Sequence, residues 1–293
     1  MCGIAFIINY GTDKINTEFI KQLFLSMNAR GGDACGWYFE RKEQNMSINR
    51  LVKKPVVAHD LWEEFYPTDE SGNPKAVEKS VENFRFNGEE KLIIMHTRKK
   101  TQGTEYDNHN NMPIYSKNYI LAHNGCITAK RLKYKYKGEV DSEELLARLE
   151  LYKGDFKKSI SEISGSLAII VKPIREKELF IYRHTNPLDL VFFPKNGILV
   201  GCSLSEYVPL KKEKKKLLDD LTDSSYKILT LPTDNLFKIS TEKLEIEDLD
   251  KIYTSVGYDY SNKNRSCYGK GYYDRKEYDL SRTNDSYDRD SFD

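Results

Sequence analysis

The stretch Met1-Cys2-Gly3-Ile4-Ala5-Phe6-Ile7-Ile8-Asn9 opens the chain and decides how the rest is read. A small residue after the initiator methionine permits aminopeptidase removal of Met1, which would leave thiol and free α-amine together on Cys2. A thiol attacks as the thiolate, and an α-amine with a pKa of about 8 titrates close to a thiol at about 8.5. The amine can therefore act, directly or through one water, as general base for its own side chain. The apolar run Ile4 to Ile8 reads as a buried strand.

The 293 residues, 39% hydrophobic and 31% charged, suffice for one large domain or two small ones. Forty-six basic against 45 acidic side chains leave a net charge of +1, so no whole-chain field favours nucleic acid or an anionic membrane, and neither is expected as a partner. No apolar run approaches the roughly 18 residues of a span and no basic-then-apolar leader is present, which predicts a cytoplasmic protein. The cysteines (Cys2, Cys35, Cys126, Cys202 and Cys267) are odd in number and widely spaced without a CxxC pair. His96, His109 and His123 lack the i, i+4 partners of a helical metal site. No disulfide framework, metal or cofactor is suggested.

Along the chain, Asn16-Thr17 caps a predicted helix with Phe19, Ile20, Leu23, Phe24 and Met27 on one face. Arg30-Gly31-Gly32-Asp33 reads as a sharp turn using positive φ, placed to lie beside the N-terminal residue. Ala34 to Phe39 and Met46 to Val52 read as a hairpin, Ala58 to Phe65 as a short helix, and 67–90 as a polar surface excursion, helical from Ala76 to Phe84. Lys91 to His96 is a strand that delivers Thr97-Arg98 into a donor-rich loop reaching Met112, where ligand-binding loops commonly lie. Tyr119 to Ala122 is another strand, ending in His123-Asn124-Gly125. That triplet has two readings: a common turn, or a side-chain amide beside a glycine N–H that together hold an oxyanion. Asp141 and Glu144 fit a capping box for a helix carrying Leu145, Leu146 and Leu149.

From Ser166 onward, Leu167 to Val171, Leu179 to Tyr182, Val191 to Phe193 and Ile198 to Gly201 suggest an antiparallel meander. Ser203 to Leu221 reads as a helix whose run Lys211 to Lys216 faces solvent, with strands following at Ser225 to Leu231 and Asn235 to Ile239. Beyond Tyr258 the chain is rich in Tyr, Asp, Arg and Ser with almost no aliphatic residue, so residues 258–293 are expected to form a disordered tail after a domain at 1–257.

Taken in order, Cys2-Gly3-Ile4, Arg30 to Asp33, His96-Thr97-Arg98 with Thr101 and Gly103, and His123-Asn124-Gly125 followed by Asp141-Ser142-Glu143 resemble the class II glutamine amidotransferases. Ser164 to Ala168, Tyr182-Arg183 before Asn186-Pro187-Leu188, and Gly201 to Glu206 extend the resemblance to about residue 210. It implies an α+β chain with the N-terminal nucleophile hydrolase fold, a four-layer αββα sandwich of two antiparallel sheets. It implies L-glutamine as substrate: Cys2 attacks the carboxamide to form a γ-glutamyl thioester and release ammonia, and Asn124 with the Gly125 N–H holds the oxyanion. Arg98, with Thr101 beside it, would pair with the α-carboxylate and Asp141 with the α-ammonium. Arg30 to Asp33 would wall the nucleophile. After the arginine the family usually has tryptophan or a similar residue and then, past the threonine, histidine, whereas Lys99, Lys100 and Gln102 occupy that stretch here. No synthase motif follows, so the resemblance points to a separate acceptor protein in trans. An amidohydrolase acting on another γ-glutamyl or amide compound, and an inactive partner-binding scaffold, are the alternatives.

Overall fold

A computed structural model of the chain describes residues 1–44, 46–209 and 226–254. The first strand, β1 (Gly3–Asn9), is buried along its whole length. Its period of two sends Ile4, Phe6 and Ile8 to one face and Ala5 and Ile7 to the other, and each face meets a different core. Strand β1 is therefore an interior strand covered on both sides, which explains why its sequence is continuously apolar.

Helix α1 (Thr17–Met27) begins at Asn16, whose Oδ1 accepts from the Glu18 N–H. Strands β2 (Ala34–Glu43) and β3 (Met46–Lys54) form the expected hairpin, and α2 (Ala58–Phe65) has the predicted bounds. The surface excursion is helical only at α3 (Lys79–Glu82), and it is pinned to the first core by Phe84 and Phe86, with Val81 packed against them. Strand β4 (Glu90–Arg98) then lies between β1 and β2. Beyond it come β5 (Ile114–Tyr115), β6 (Tyr119–Thr128), α4 (Glu143–Leu151), α5 (Phe156–Ser161), β7 (Ser164–Pro173), β8 (Glu178–Arg183), β9 (Asp189–Phe193), β10 (Ile198–Cys202), β11 (Lys227–Thr230), β12 (Asn235–Ser240) and β13 (Ile246–Lys251).

Two antiparallel sheets result, ordered β11-β9-β10-β1-β4-β2-β3 and β13-β12-β8-β7-β6-β5. Between them lie Ile4, Phe6, Tyr38, Ile94, Ile120, Ala168, Ile170 and Ile181. On the outer face of the first sheet, α1 and α2 cover Trp37, Phe39 and Ile93, and on that of the second, α4 and α5 cover Leu121, Leu167, Ile169 and Phe180. The order of layers is αββα.

Several local expectations change. The meander is split: β7 and β8 pair in the second sheet, whereas β9 and β10 cross to the first, where β10 pairs with β1. Residues 205–207 form one 3-10 turn rather than the start of a long helix, and 210–225, with the lysine run, lie outside the described residues, as does the tail from 255. Cys126 is disulfide-bonded, a pairing the cysteine spacing did not suggest, while Cys2, Cys35 and Cys202 are free thiols.

Candidate active site

Cys2 sits at the head of β1, where three chain segments converge. Its backbone N–H donates to Asn124 Oδ1 at 3.2 Å, and its carbonyl accepts from Arg30 Nε at 2.8 Å. The thiol lies against the backbone of Lys99, with Sγ 3.3 Å from the Lys99 nitrogen and 3.6 Å from its carbonyl oxygen. Burial is the leading influence on this thiol and pushes its pKa above the ordinary value; the Lys99 N–H, the N-terminal charge and Arg98 pull it down, and Asp141 pushes it up. Met1 is present, so Cys2 carries a peptide N–H here. Its neighbour's sulfur takes a second bond from Arg30, at 3.3 Å.

Asn124 and Gly125 do not form the turn that their dipeptide favours. They lie inside β6, paired with Ala168 and Leu167 of β7. Gly125 has φ +142°, and a Cβ built there would fall 1.7 Å from the Ser166 carbonyl oxygen, so only glycine lets the strand bend at this point. The bend leaves the Asn124 side chain beside Cys2. The Asn124 carbonyl is held by Asn186 Nδ2 at 2.7 Å, while the Asn124 side-chain Nδ2 is buried and has no hydrogen-bond partner among the described residues. An unpartnered buried donor costs on the order of 1–3 kcal/mol. Asn124 Nδ2 is placed to receive an acceptor brought by a ligand.

Asp141 is not the helix cap. Ser142 occupies the cap position of α4 and makes no side-chain capping bond, and Glu144 turns instead to Tyr136 and Arg148. Asp141 reaches across to β6, where Oδ2 accepts from the Ile127 N–H at 2.5 Å, and its charge acts on Cys2, Arg98 and His123. Arg98, nearly fully buried at the end of β4, spends its donors on its own loop. Nη1 donates to Asn111 Oδ1 at 3.0 Å, and Nη2 donates to the carbonyls of Gly103, at 3.1 Å, and Gln102. Gly103 adopts φ +67° and packs against the Asn110 side chain, where a Cβ would come within 2.6 Å. Thr101 lies exposed on the same loop.

The Arg30 to Asp33 turn does lie beside the N-terminal residue, but neither glycine uses positive φ. Gly31 is needed for close approach instead: a Cβ would fall 2.4 Å from the Arg98 carbonyl carbon. Asp33 then clamps the loop, accepting from the Lys100 N–H at 2.7 Å and from Lys99 Nζ at 3.3 Å. Beneath the site, His96 Nε2 bonds the His123 carbonyl at 3.1 Å, and His123 Nδ1 meets Ser142 Oγ at 2.9 Å. Burial brings the His96 pKa down to about 3 and lowers that of His123, so both rings are neutral near pH 7. Sequence reasoning used these histidines as motif markers and missed their role as ties between β4, β6 and α4. Asn111 and Asn186 were likewise missed as second partners of Arg98 and Asn124.

No family model matches the chain. The glutamine–fructose-6-phosphate aminotransferase (isomerizing) of Helicobacter pylori strain J99 is 27% identical over 286 residues, covering 92% of this chain and 40% of that enzyme. The chain thus spans well under half the length of this curated relative. Among solved structures, glutamine phosphoribosylpyrophosphate amidotransferase from B. subtilis, complexed with ADP and GMP, matches with a TM-score of 0.53 at 15% identity, over 85% of this chain and 50% of that one. An allosteric regulatory enzyme of purine biosynthesis matches with a TM-score of 0.57 at 15% identity, over 85% and 49%. At such identity the structural likeness is one of fold. The chain is thus similar in sequence to a glutamine-dependent aminotransferase, and its two antiparallel sheets in αββα order share the fold of the solved amidotransferase structures, that of the N-terminal nucleophile hydrolases.

Proposed function

We propose that this domain hydrolyses the side-chain amide of L-glutamine through Cys2 and delivers the ammonia to an acceptor enzyme on another chain. One observation carries the reading: Asn124 touches the Cys2 nitrogen with its oxygen and holds a buried, unpartnered Nδ2 beside the same residue. Removal of Met1 turns the Cys2 nitrogen into an α-amine. That amine takes the thiol proton, and the thiolate attacks the carboxamide carbon. Negative charge moves to the amide oxygen, where Asn124 Nδ2 and the Gly125 N–H meet it. Collapse breaks the C–N bond as the ammonium returns its proton to the leaving –NH2 group, which departs as ammonia, and water then cleaves the thioester to glutamate and the free thiol. Arg98 and Asp141, of opposite charge and both within electrostatic reach of Cys2, suit the α-carboxylate and α-ammonium of an amino acid. Thr101, Gly103 and Arg30 complete the walls. The glutaminase domain is taken as 1–257 with a surface insertion at 67–90, a tail at 258–293, and a cytoplasmic setting.

Mass spectrometry of the intact protein and its peptides, before and after 6-diazo-5-oxo-L-norleucine, tests this. A protein lacking Met1 with a single adduct on Cys2, blocked by glutamine and abolished by Cys2→Ala, is the expected result. Retained Met1, or an unlabelled Cys2 in folded protein, overturns it. A second reading, hydrolysis of a different amide, is favoured by the engagement of Arg98 Nη2 with two loop carbonyls. Faster turnover of amides lacking the α-carboxylate would select it.

A further inference from the structure

The segment that links Gly125 to Asp141 has a property that the glutaminase chemistry does not use. Lys130, Arg131, Lys133, Lys135 and Lys137 place five cations within eight residues, in a chain whose net charge is only +1. All five are exposed, whereas Leu132, Tyr134 and Tyr136 between them are half-buried. The segment is therefore sorted, with aromatic side chains turned to the protein and basic ones to solvent.

Its backbone is firmly held. The Leu132 N–H donates to Tyr136 Oη at 3.1 Å, and Tyr136 Oη donates to Glu144 at 2.9 Å. Glu143 accepts from the backbone N–H groups of Lys137 and Gly138, at 2.8 and 2.9 Å. Glu143 and Glu144 are engaged in fixing the loop, and among the described residues none of the five cations forms an ion pair. Like charges at this density repel one another, so an opposite charge brought from outside relieves the arrangement.

We propose that residues 130–137 form a docking surface for an acidic segment of a protein partner. Nucleic acid fits less well, because stacking needs free aromatic faces. The Arg131 guanidinium covers Tyr136 at 4.1 Å from its ring centroid, and Tyr134 packs edge-on against the same ring at 5.3 Å. The surface also abuts the loop that covers Cys2: Gly138 is so close to Asn110 that a Cβ would fall 2.6 Å from its Oδ1, and the Glu139 N–H donates to the same oxygen at 2.7 Å. A partner bound here stands at the rim of the site, whatever amide the site accepts.

The test is fluorescence anisotropy with a labelled glutamate-rich peptide on the full chain, at roughly 0.05 and 0.3 M salt. The comparison is a variant with Lys130, Arg131, Lys133, Lys135 and Lys137 each changed to Gln. A control variant removes equal charge elsewhere, at Lys14, Lys75, Lys79, Lys117 and Lys153, and thermal melting checks that both fold. The surface variant is expected to lose at least tenfold in affinity and the control less than twofold, with salt weakening the wild-type interaction. Absence of binding at the lower salt, equal losses in the two variants, or tighter binding of a labelled oligouridylate would each overturn the proposal. None of these readouts depends on catalysis, so the glutaminase assignment stands or falls separately.

Discussion

At the scale of single residues, the site turns on donors whose partners are missing. Asn124 Nδ2 is buried and unpaired, and Asn124→Ala removes it without touching the thiol. Loss of one such donor costs a factor of about 10² to 10³ in kcat. Steady-state glutamine hydrolysis should fall by that factor while Cys2 still reacts with iodoacetamide. The thiol supplies a second prediction. Burial raises its pKa, so the thiolate is scarce near neutrality, and a higher pH is needed to form it than for a free cysteine. In protein retaining Met1, the rate of Cys2 alkylation should climb with pH to a midpoint above that of glutathione measured in parallel. A midpoint at or below the glutathione value would show that Arg98 and the Lys99 N–H outweigh desolvation. The gathering of Cys2, Arg98 and Asp141 was legible only through the motif order that carries the resemblance, since the local pattern around Asp141 reads as a helix cap; the fold brings the three within electrostatic reach of one another. The Asn124-Gly125 dipeptide was ambiguous, because the same two residues suit a hairpin turn, and the turn reading fails. Its place within β6 depends on the Ser166 carbonyl opposite Gly125, which local sequence does not reveal.

At the scale of elements, the loop after β4 is held from two sides. Arg98, Asn110 and Asn111 fix its far half, and Asp33 fixes its near half through the Lys100 N–H and Lys99 Nζ. The Lys99 side chain is more than half exposed, so its ion pair contributes little. The charge-assisted bond from the Lys100 N–H is the stronger of the two contacts. Asp33→Ala therefore removes about 1 kcal/mol from the closed position, about a fivefold change in the population of open loop. Cys2 alkylation in excess reagent should accelerate by that factor, and an unchanged rate would mean that Arg98 alone keeps the Lys99 backbone over the thiol. The elements themselves divide by the strength of their periodic signal. Helices α1 and α2 and the β2–β3 hairpin were readable from apolar spacing and one Asn cap. Strands β5 and β13 escaped because one has two residues and the other is exposed almost throughout, so neither writes a burial pattern into the sequence.

For the whole molecule, the layered arrangement was implied by the family resemblance, but strand pairing was not. Short apolar strands at similar spacing read as one meander, and β7 and β8 do pair as neighbours, but only long-range contacts decide that β10 closes on β1 and β12 on β8. The same long-range contacts place two neutral histidines in the interior, with His96 of the first sheet bonded to the His123 carbonyl of the second. An unfolded histidine titrates near 6.5, whereas His96 in the fold titrates at about 3. The folded state binds fewer protons between these values, so stability is full above about pH 6.5 and is lost as pH falls toward 3. One such group contributes about 1.4 kcal/mol per pH unit across that window, and His123, shifted in the same direction, adds to the slope at its upper end. Urea unfolding at a series of pH values from 7 to about 4 should show this decline, above the interval where most carboxylates titrate. His96→Gln keeps a donor for the His123 carbonyl and removes the titration. Its slope should be shallower by about one proton, even if its stability at pH 7 is reduced. A variant that retains the full slope would assign the acid sensitivity to the carboxylates, and the two sheets would then be joined by a histidine whose protonation does not limit the fold.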